Sequence, residues 1–236
     1  MDELGASLAL QNCPPPRRET HKPVAKITLI GRESRPMSAR HTIIKQARDN
    51  GELVYDFNQR HTPQYKRSPR DFCAGLSIQW LALHLAGKDY AYDTAKKLLD
   101  DPGDEPLDVQ DVYEKQGHLK AFEKVGLKRK DKETTVPGAV QAGQLVAAAS
   151  EAGLYFLRIR HDEDSGHAVA FQCQKASGDL SFLYFDGNLG TFSLASSKRF
   201  QTWFDDVIGR PLLEGGDTYQ SHYAHKWILY RLVAKS

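Results

Sequence analysis

The sequence predicts an α+β fold, with a helical first half packed on a mostly antiparallel sheet from the second half. Three observations predict it. Up to about residue 152 the apolar residues recur at intervals of three and four, the period of an amphipathic helix. Beyond that point they gather in short runs rich in Val, Phe, Tyr, Leu and Ile, separated by polar turns, which is the pattern of strands. Runs of helices followed by runs of strands are the α+β order. The third observation is size: 236 residues, 40% hydrophobic and 26% charged, suit one globular domain with a real core rather than a disordered or membrane chain.

Taken in order, residues 1–38 read as a flexible arm. They carry Cys13-Pro-Pro-Pro-Arg-Arg and scattered polar residues, and Ile27 to Ile30 is their one short apolar stretch. The folded domain is expected over residues 39–236. Its helices are expected at Ile43–Ala47, Cys73–Leu85, Tyr92–Leu99, Val109–Val125 and Val140–Ala152, punctuated by Gly87, Pro102, Gly103 and Pro137. Strands are expected at Leu154–Arg160, His167–Gln174 and Leu180–Asp186. Residues Lys175 to Asp179 form the turn between the last two, where Gly178 is free to take positive φ. A helix with Phe200, Trp203, Phe204, Val207 and Ile208 on one face follows, capped by Ser196 or Ser197, and Lys226–Val233 closes the chain as a strand.

Composition excludes several function classes. No apolar run approaches the roughly 18 residues of a membrane span, and 32 basic against 30 acidic residues give a net charge of +2, too little to recruit nucleic acid through a global field. The first residues lack the charged start and apolar stretch of a signal peptide, and Asp2 occupies the position where myristoylation needs Gly. Cys13, Cys73 and Cys173 form no even framework and no zinc-like spacing, which reads as free thiols in a reducing compartment.

Chemistry concentrates in three segments. In Ser68-Pro-Arg-Asp-Phe-Cys73-Ala-Gly-Leu-Ser-Ile-Gln-Trp80-Leu, a cap residue, then Pro, then Asp signal a helix start. Leu76, Trp80 and Leu83 would bury one stripe and leave Cys73 near the first turn. There the unpaired amides and the positive end of the dipole favour a thiolate, the nucleophilic form, and Ala74 and Gly75 are small enough to let a substrate approach. Taken alone, such a cysteine is more often an inert core residue. In Ser165-Gly-His167-Ala-Val-Ala-Phe, a histidine opens an apolar strand, with Val169 and Phe171 on its face and Ala168 and Ala170 on the other. In Phe182-Leu-Tyr-Phe-Asp186-Gly-Asn-Leu-Gly190, a strand ends in a carboxylate and a turn. If the two strands pair as a hairpin, His167 and Asp186 reach the same open end, and the Asp can orient an imidazole that takes a proton from Cys73. Each of the last two segments also has a bland reading, a strand-end histidine and a turn-capping Asp.

Together, Cys at a helix start followed by His and Asp on successive strands is the order of papain-like proteases. The flanking residues go further. Cys73-Ala-Gly-Leu76-Ser77 with Trp80-Leu81, His167-Ala168, and Phe185-Asp186-Gly-Asn188-Leu-Gly190 resemble the YopT-like family of type III effector cysteine proteases over roughly residues 65 to 205. That resemblance implies a papain-like fold, a Cys73-His167-Asp186 triad without cofactor, and proteolysis of host-cell proteins after secretion by a bacterium, with self-cleavage near the amino terminus. A secretion chaperone is a candidate partner of the arm. Papain-like enzymes also use a Gln or Asn before the cysteine to hold the oxyanion. Gln64 is the favoured candidate here, with Gln59 and Asn58 behind it and the Cys73 amide as second donor.

The same triad could serve transglutamination or glutamine deamidation, and a non-catalytic binding module is the remaining alternative. His222 and His225 stand three apart, but no third ligand stands beside them, so no metal is expected. Asp162-Glu163-Asp164 read as a solvated loop, and Cys173 as core.

Overall fold

The computed structural model describes residues 39–67, 70–86, 103–138, 140–160, 166–176, 178–209 and 226–235. The arm at residues 1–38 with Cys13, the helix expected at Tyr92–Leu99, the Ser68-Pro69 cap, the acidic loop at 162–164 and the His222/His225 pair lie outside them, as do the side chains of Val207 and Ile208.

The chain opens with α1 (Ala39–Asp49), β1 (Leu53–Asp56), a 3-10 turn (Gln59–His61) and α2 (Pro63–Arg67). It continues with α3 (Cys73–Leu85), α4 (Glu105–Gln116), α5 (His118–Lys124), β2 (Leu127–Arg129), β3 (Thr134–Pro137) and α6 (Ala142–Ala148). Then come β4 (Gly153–Arg160), β5 (Gly166–Ala176), β6 (Asp179–Asp186), β7 (Gly190–Leu194), α7 (Ser197–Gly209) and β8 (Lys226–Ala234). The strands form one sheet in the order β1-β7-β6-β5-β4-β8-β2, with β3 beside β2 on the outer edge of β8. Every ladder is antiparallel. The α+β expectation therefore holds, with two refinements.

The sheet is not built from the second half alone, since β1, β2 and β3 come from the first. Their three to four residues are too short to show an alternation. Helices also cover both faces. On one, α1, α6 and α7 pack Ile43, Ile44, Leu145, Phe200, Trp203 and Phe204 against Tyr155, Val169, Phe171 and Tyr184. On the other, α3, α4 and α5 pack Leu76, Trp80, Val109 and Phe122 against Phe156, Ala168, Ala170 and Phe185. The alternation of β5 serves this split: large residues face the first layer, and alanines let α3 close on the second, where Ser77 Oγ donates to the Ala168 carbonyl at 3.2 Å.

The helix expected over Val109–Val125 is two. Gly117 takes φ +88 and breaks it, and no side chain with a Cβ adopts that conformation cheaply. The helix expected over Val140–Ala152 is shorter, ending at Ala148. Ser196 caps α7 by accepting from the Arg199 amide at 3.1 Å.

Candidate active site

Cys73 is the first residue of α3, and the cap position is Phe72, with φ −129, ψ 36 and no side-chain cap of its own. The local Ser-Pro-Arg-Asp signal does not start this helix at Ser68. Two distant glutamines replace a local cap: Gln59 Oε1 accepts from the Phe72 amide and Gln110 Oε1 from the Gly75 amide, each at 2.9 Å. First-turn amides have no acceptor within their own helix, so these side chains fix where α3 begins and how its end is held. Gly75 is small for a different reason from the one expected. A β-carbon there would collide with the Pro106 carbonyl oxygen, so its missing side chain admits α4 rather than a substrate.

His167 and Asp186 lie on neighbouring strands whose register pairs Val169 with Asp186. They are thus diagonal neighbours at the open end of the hairpin, within reach across the ladder. Ala176 pairs with Asp179 at the closed end of the hairpin, where Gly178 takes φ +94. His167 Nε2 meets Asp186 Oδ2 at 3.0 Å, both residues being buried. Asp186 Oδ1 accepts from the Asn188 amide at 2.7 Å, so both carboxylate oxygens are engaged. A carboxylate in this position accepts, which places the ring proton on Nε2 and makes Nδ1 the nitrogen for proton exchange.

The turn after Asp186 lies beside Cys73. A β-carbon on Gly187 would stand 3.7 Å from Cys73 Cα and 3.3 Å from Leu76 Cδ1, so the turn lies directly against the start of α3. The Gly187 carbonyl accepts from the Gln59 amide at 2.7 Å, and Gln59 Nε2 donates to Asn188 Oδ1 at 2.7 Å. Arg40 of α1 donates to the carbonyls of Asn188 and Phe57, each at 2.9 Å, lacing the same two segments together. His167, Asp186, the turn, Gln59 and the start of α3 therefore form one connected hydrogen-bonded unit beside Cys73.

The oxyanion candidates separate clearly. Gln64 Nε2 donates to the Gly103 carbonyl at 2.9 Å, and Asn58 caps the 3-10 turn by accepting from the Arg60 amide. Gln59, wholly buried, contacts the start of α3. Gln110 was not singled out in the sequence and Asn188 entered only as part of the turn motif, because a helical Gln and a turn Asn carry no signal of partners 35 and 129 residues away.

Cys173 sits in the other layer with Val169 and Phe171, and burial pushes its thiol up to about 11. Among the described residues no group of three or more His, Cys, Asp or Glu could hold a metal ion, and no helix is long and apolar enough to cross a membrane.

Comparison with known proteins bears on the fold and the family. The crystal structure of the Pseudomonas avirulence protein AvrPphB matches with a TM-score of 0.55 at 19% identity, covering 78% of this chain and 99% of that one. At that identity the likeness is one of fold. PatoxP, a cysteine protease-like domain of the Photorhabdus asymbiotica toxin PaTox, matches with a TM-score of 0.41 at 9% identity, covering 82% of this chain and 60% of that one. No curated protein matches the chain. The pattern of the Peptidase_C58 family, described as Yersinia/Haemophilus virulence surface antigen, matches residues 52–222. Matched over well more than half its length, the chain belongs to the Peptidase_C58 family, the YopT-like cysteine proteases.

Proposed function

We propose that the chain is a cysteine endopeptidase with Cys73 as nucleophile, His167 as base and Asp186 as the acid that orients it. The observation that carries this reading is the buried His167–Asp186 pair, whose adjoining turn rests on Cys73. In the reaction, His167 Nδ1 takes the thiol proton and Cys73 Sγ attacks the scissile carbonyl carbon. The C–N bond then breaks as His167 returns the proton to the leaving amine, and water hydrolyses the thioester to release the acid and free thiol. The Cys73 amide, at the start of α3, is one oxyanion donor. We assign the second to Gln59 rather than Gln64, because Gln59 touches that helix start and Gln64 is turned to the Gly103 carbonyl; to serve, the Gln59 amide exchanges its bond to Asn188 Oδ1 for the oxyanion.

Family membership supports a virulence role. The protease is a bacterial effector delivered into a host cell, by type III secretion, where it cuts host proteins; residues 1–38 serve as its secretion and processing arm and as the place for a chaperone. The test is intact-mass analysis after treatment with an epoxide inhibitor of thiol proteases. One adduct on the wild-type protein and none on Cys73→Ala is expected, with fragments of host proteins appearing only with the wild type. An unmodified wild-type protein would sink the reading.

A further inference from the structure

On the face of β4 turned to α3, α4 and α5, Leu154 and Phe156 are apolar and Arg158 and Arg160 are not. Arg158 is paired in register with Ala168, the residue after His167, and Ala168 belongs to the same packed cluster as Cys73. The Arg158 guanidinium is half-buried and lies 5.4 Å over the ring of Tyr113 from α4. Among the described residues it has no carboxylate partner, and the Tyr113 hydroxyl makes no hydrogen bond. Glu133, the carboxylate acting on the neighbouring His118 and Tyr230, is itself bridged to Arg129. Both groups act on the ring's hydroxyl: burial first, then the charge of Cys73, push the Tyr113 hydroxyl up, while Arg158 pulls it down.

A partly desolvated cation without a counter-ion is costly unless something supplies one. We infer that Arg158 and Tyr113 form a substrate subsite beside the reactive centre that receives an acidic side chain of the polypeptide near its scissile bond. The guanidinium accepts the carboxylate in its two-pronged geometry while its plane stays against the ring, and the Tyr113 hydroxyl is placed to donate to the same group. This rests on the protease reading above. The bland alternative is that Arg158 simply covers the aromatic ring with its stem and charge.

The test uses the full chain and a set of peptidyl ketone electrophiles differing only in Glu, Gln or Lys at each of the three positions before the reactive ketone. The readout is the rate at which each labels Cys73, followed by mass. At one position the Glu probe is expected to label the wild type roughly tenfold faster than the Gln probe and faster still than the Lys probe, the size of one charge-assisted contact. Arg158→Glu should invert that order and Arg158→Lys should retain it in weakened form. Rates indifferent to the probe's charge, or an order unchanged by Arg158→Glu, overturn the subsite and leave the protease reading standing. Failure of every probe to label Cys73 overturns both.

Discussion

Each face of the sheet buries one cysteine, and the two show that burial does not decide a thiol's role. Cys73 is 8% exposed and Cys173 1% exposed, so both count as core. Cys173 lies within β5 among rings: Phe171 and Phe182, with Phe182 stacked 4.2 Å from Phe200. Its thiol contacts the Ala149 carbonyl at 3.6 Å, and burial holds it protonated against the opposing charge of Arg231. Cys73 begins a helix whose neighbouring amides are fixed by glutamines, in a layer where Ala168 and Ala170 sit beside Trp80, Phe156 and Phe185. One layer uses its sequence for volume, the other for position. Both layers hold aromatic rings; the α3 layer differs in giving up packing mass at Gly75, where α4 closes on it, and at Ala168 and Ala170, where α3 closes on the sheet.

The sharpest way to break this contrast is to damage position without volume. Asp186→Asn keeps shape and the acceptor for the Asn188 amide, but no longer stabilises the imidazolium or enforces the tautomer. Cleavage is expected to fall by roughly 10,000-fold, as when the orienting acid of a comparable triad is amidated, while the urea midpoint changes little. Wild-type turnover in this variant would remove Asp186 from the triad. Gln59→Ala comes next. It removes the proposed oxyanion donor, so kcat should fall about 100- to 1,000-fold with KM little altered. It also leaves the buried Phe72 amide unpaired, a stability loss of about 1–3 kcal/mol. Loss of stability with kcat intact would make Gln59 a structural cap only.

How much of this was legible follows from how far each cause acts along the chain. The β5–β6 hairpin was legible because its determinants are local: two alternating runs, a Gly at positive φ between them, and a carboxylate at the strand's end. So was the span of α3, whose apolar residues repeat at helical spacing. The amides at its start were not legible, since those of Phe72 and Gly75 are bound by side chains from residues 59 and 110, which no local string announces. The same range effect favoured Gln64 over Gln59: Gln64 is nearer Cys73 in sequence, but α2 turns its amide to Gly103. The short strands β1 to β3 exist because β7 and β8 offer edges to them, and three or four residues cannot announce that.

The smallest expected effect probes the aromatic layer by pH. Burial raises the Cys173 thiol from 9.0 in the unfolded chain to about 11 in the folded one, with Arg231 opposing the shift. Below the lower value both states hold the proton and the site contributes its full stability. Above it the unfolded chain ionises first, so folding weakens as pH rises through the interval, and the loss is complete once the folded thiol ionises too. At about pH 10.5 the difference amounts to about 2 kcal/mol, an order-of-magnitude figure from the linkage of one proton. Tyr155, pushed up to about 12 mainly by burial and in part by the charge of Cys173, weakens the fold in the same direction at higher pH, so the comparison with Cys173→Ala reads Cys173 together with its coupling to Tyr155. The measurement is therefore the difference in slope of urea-unfolding free energy between those two proteins from pH 8 to 10.5, under reducing conditions. Wild type should lose stability more steeply than the variant, whatever constant offset the missing thiol volume introduces. Parallel curves would mean that Cys173 ionises as freely in the fold as out of it, and the contrast between an inert and a positioned cysteine would then rest on Cys73 alone.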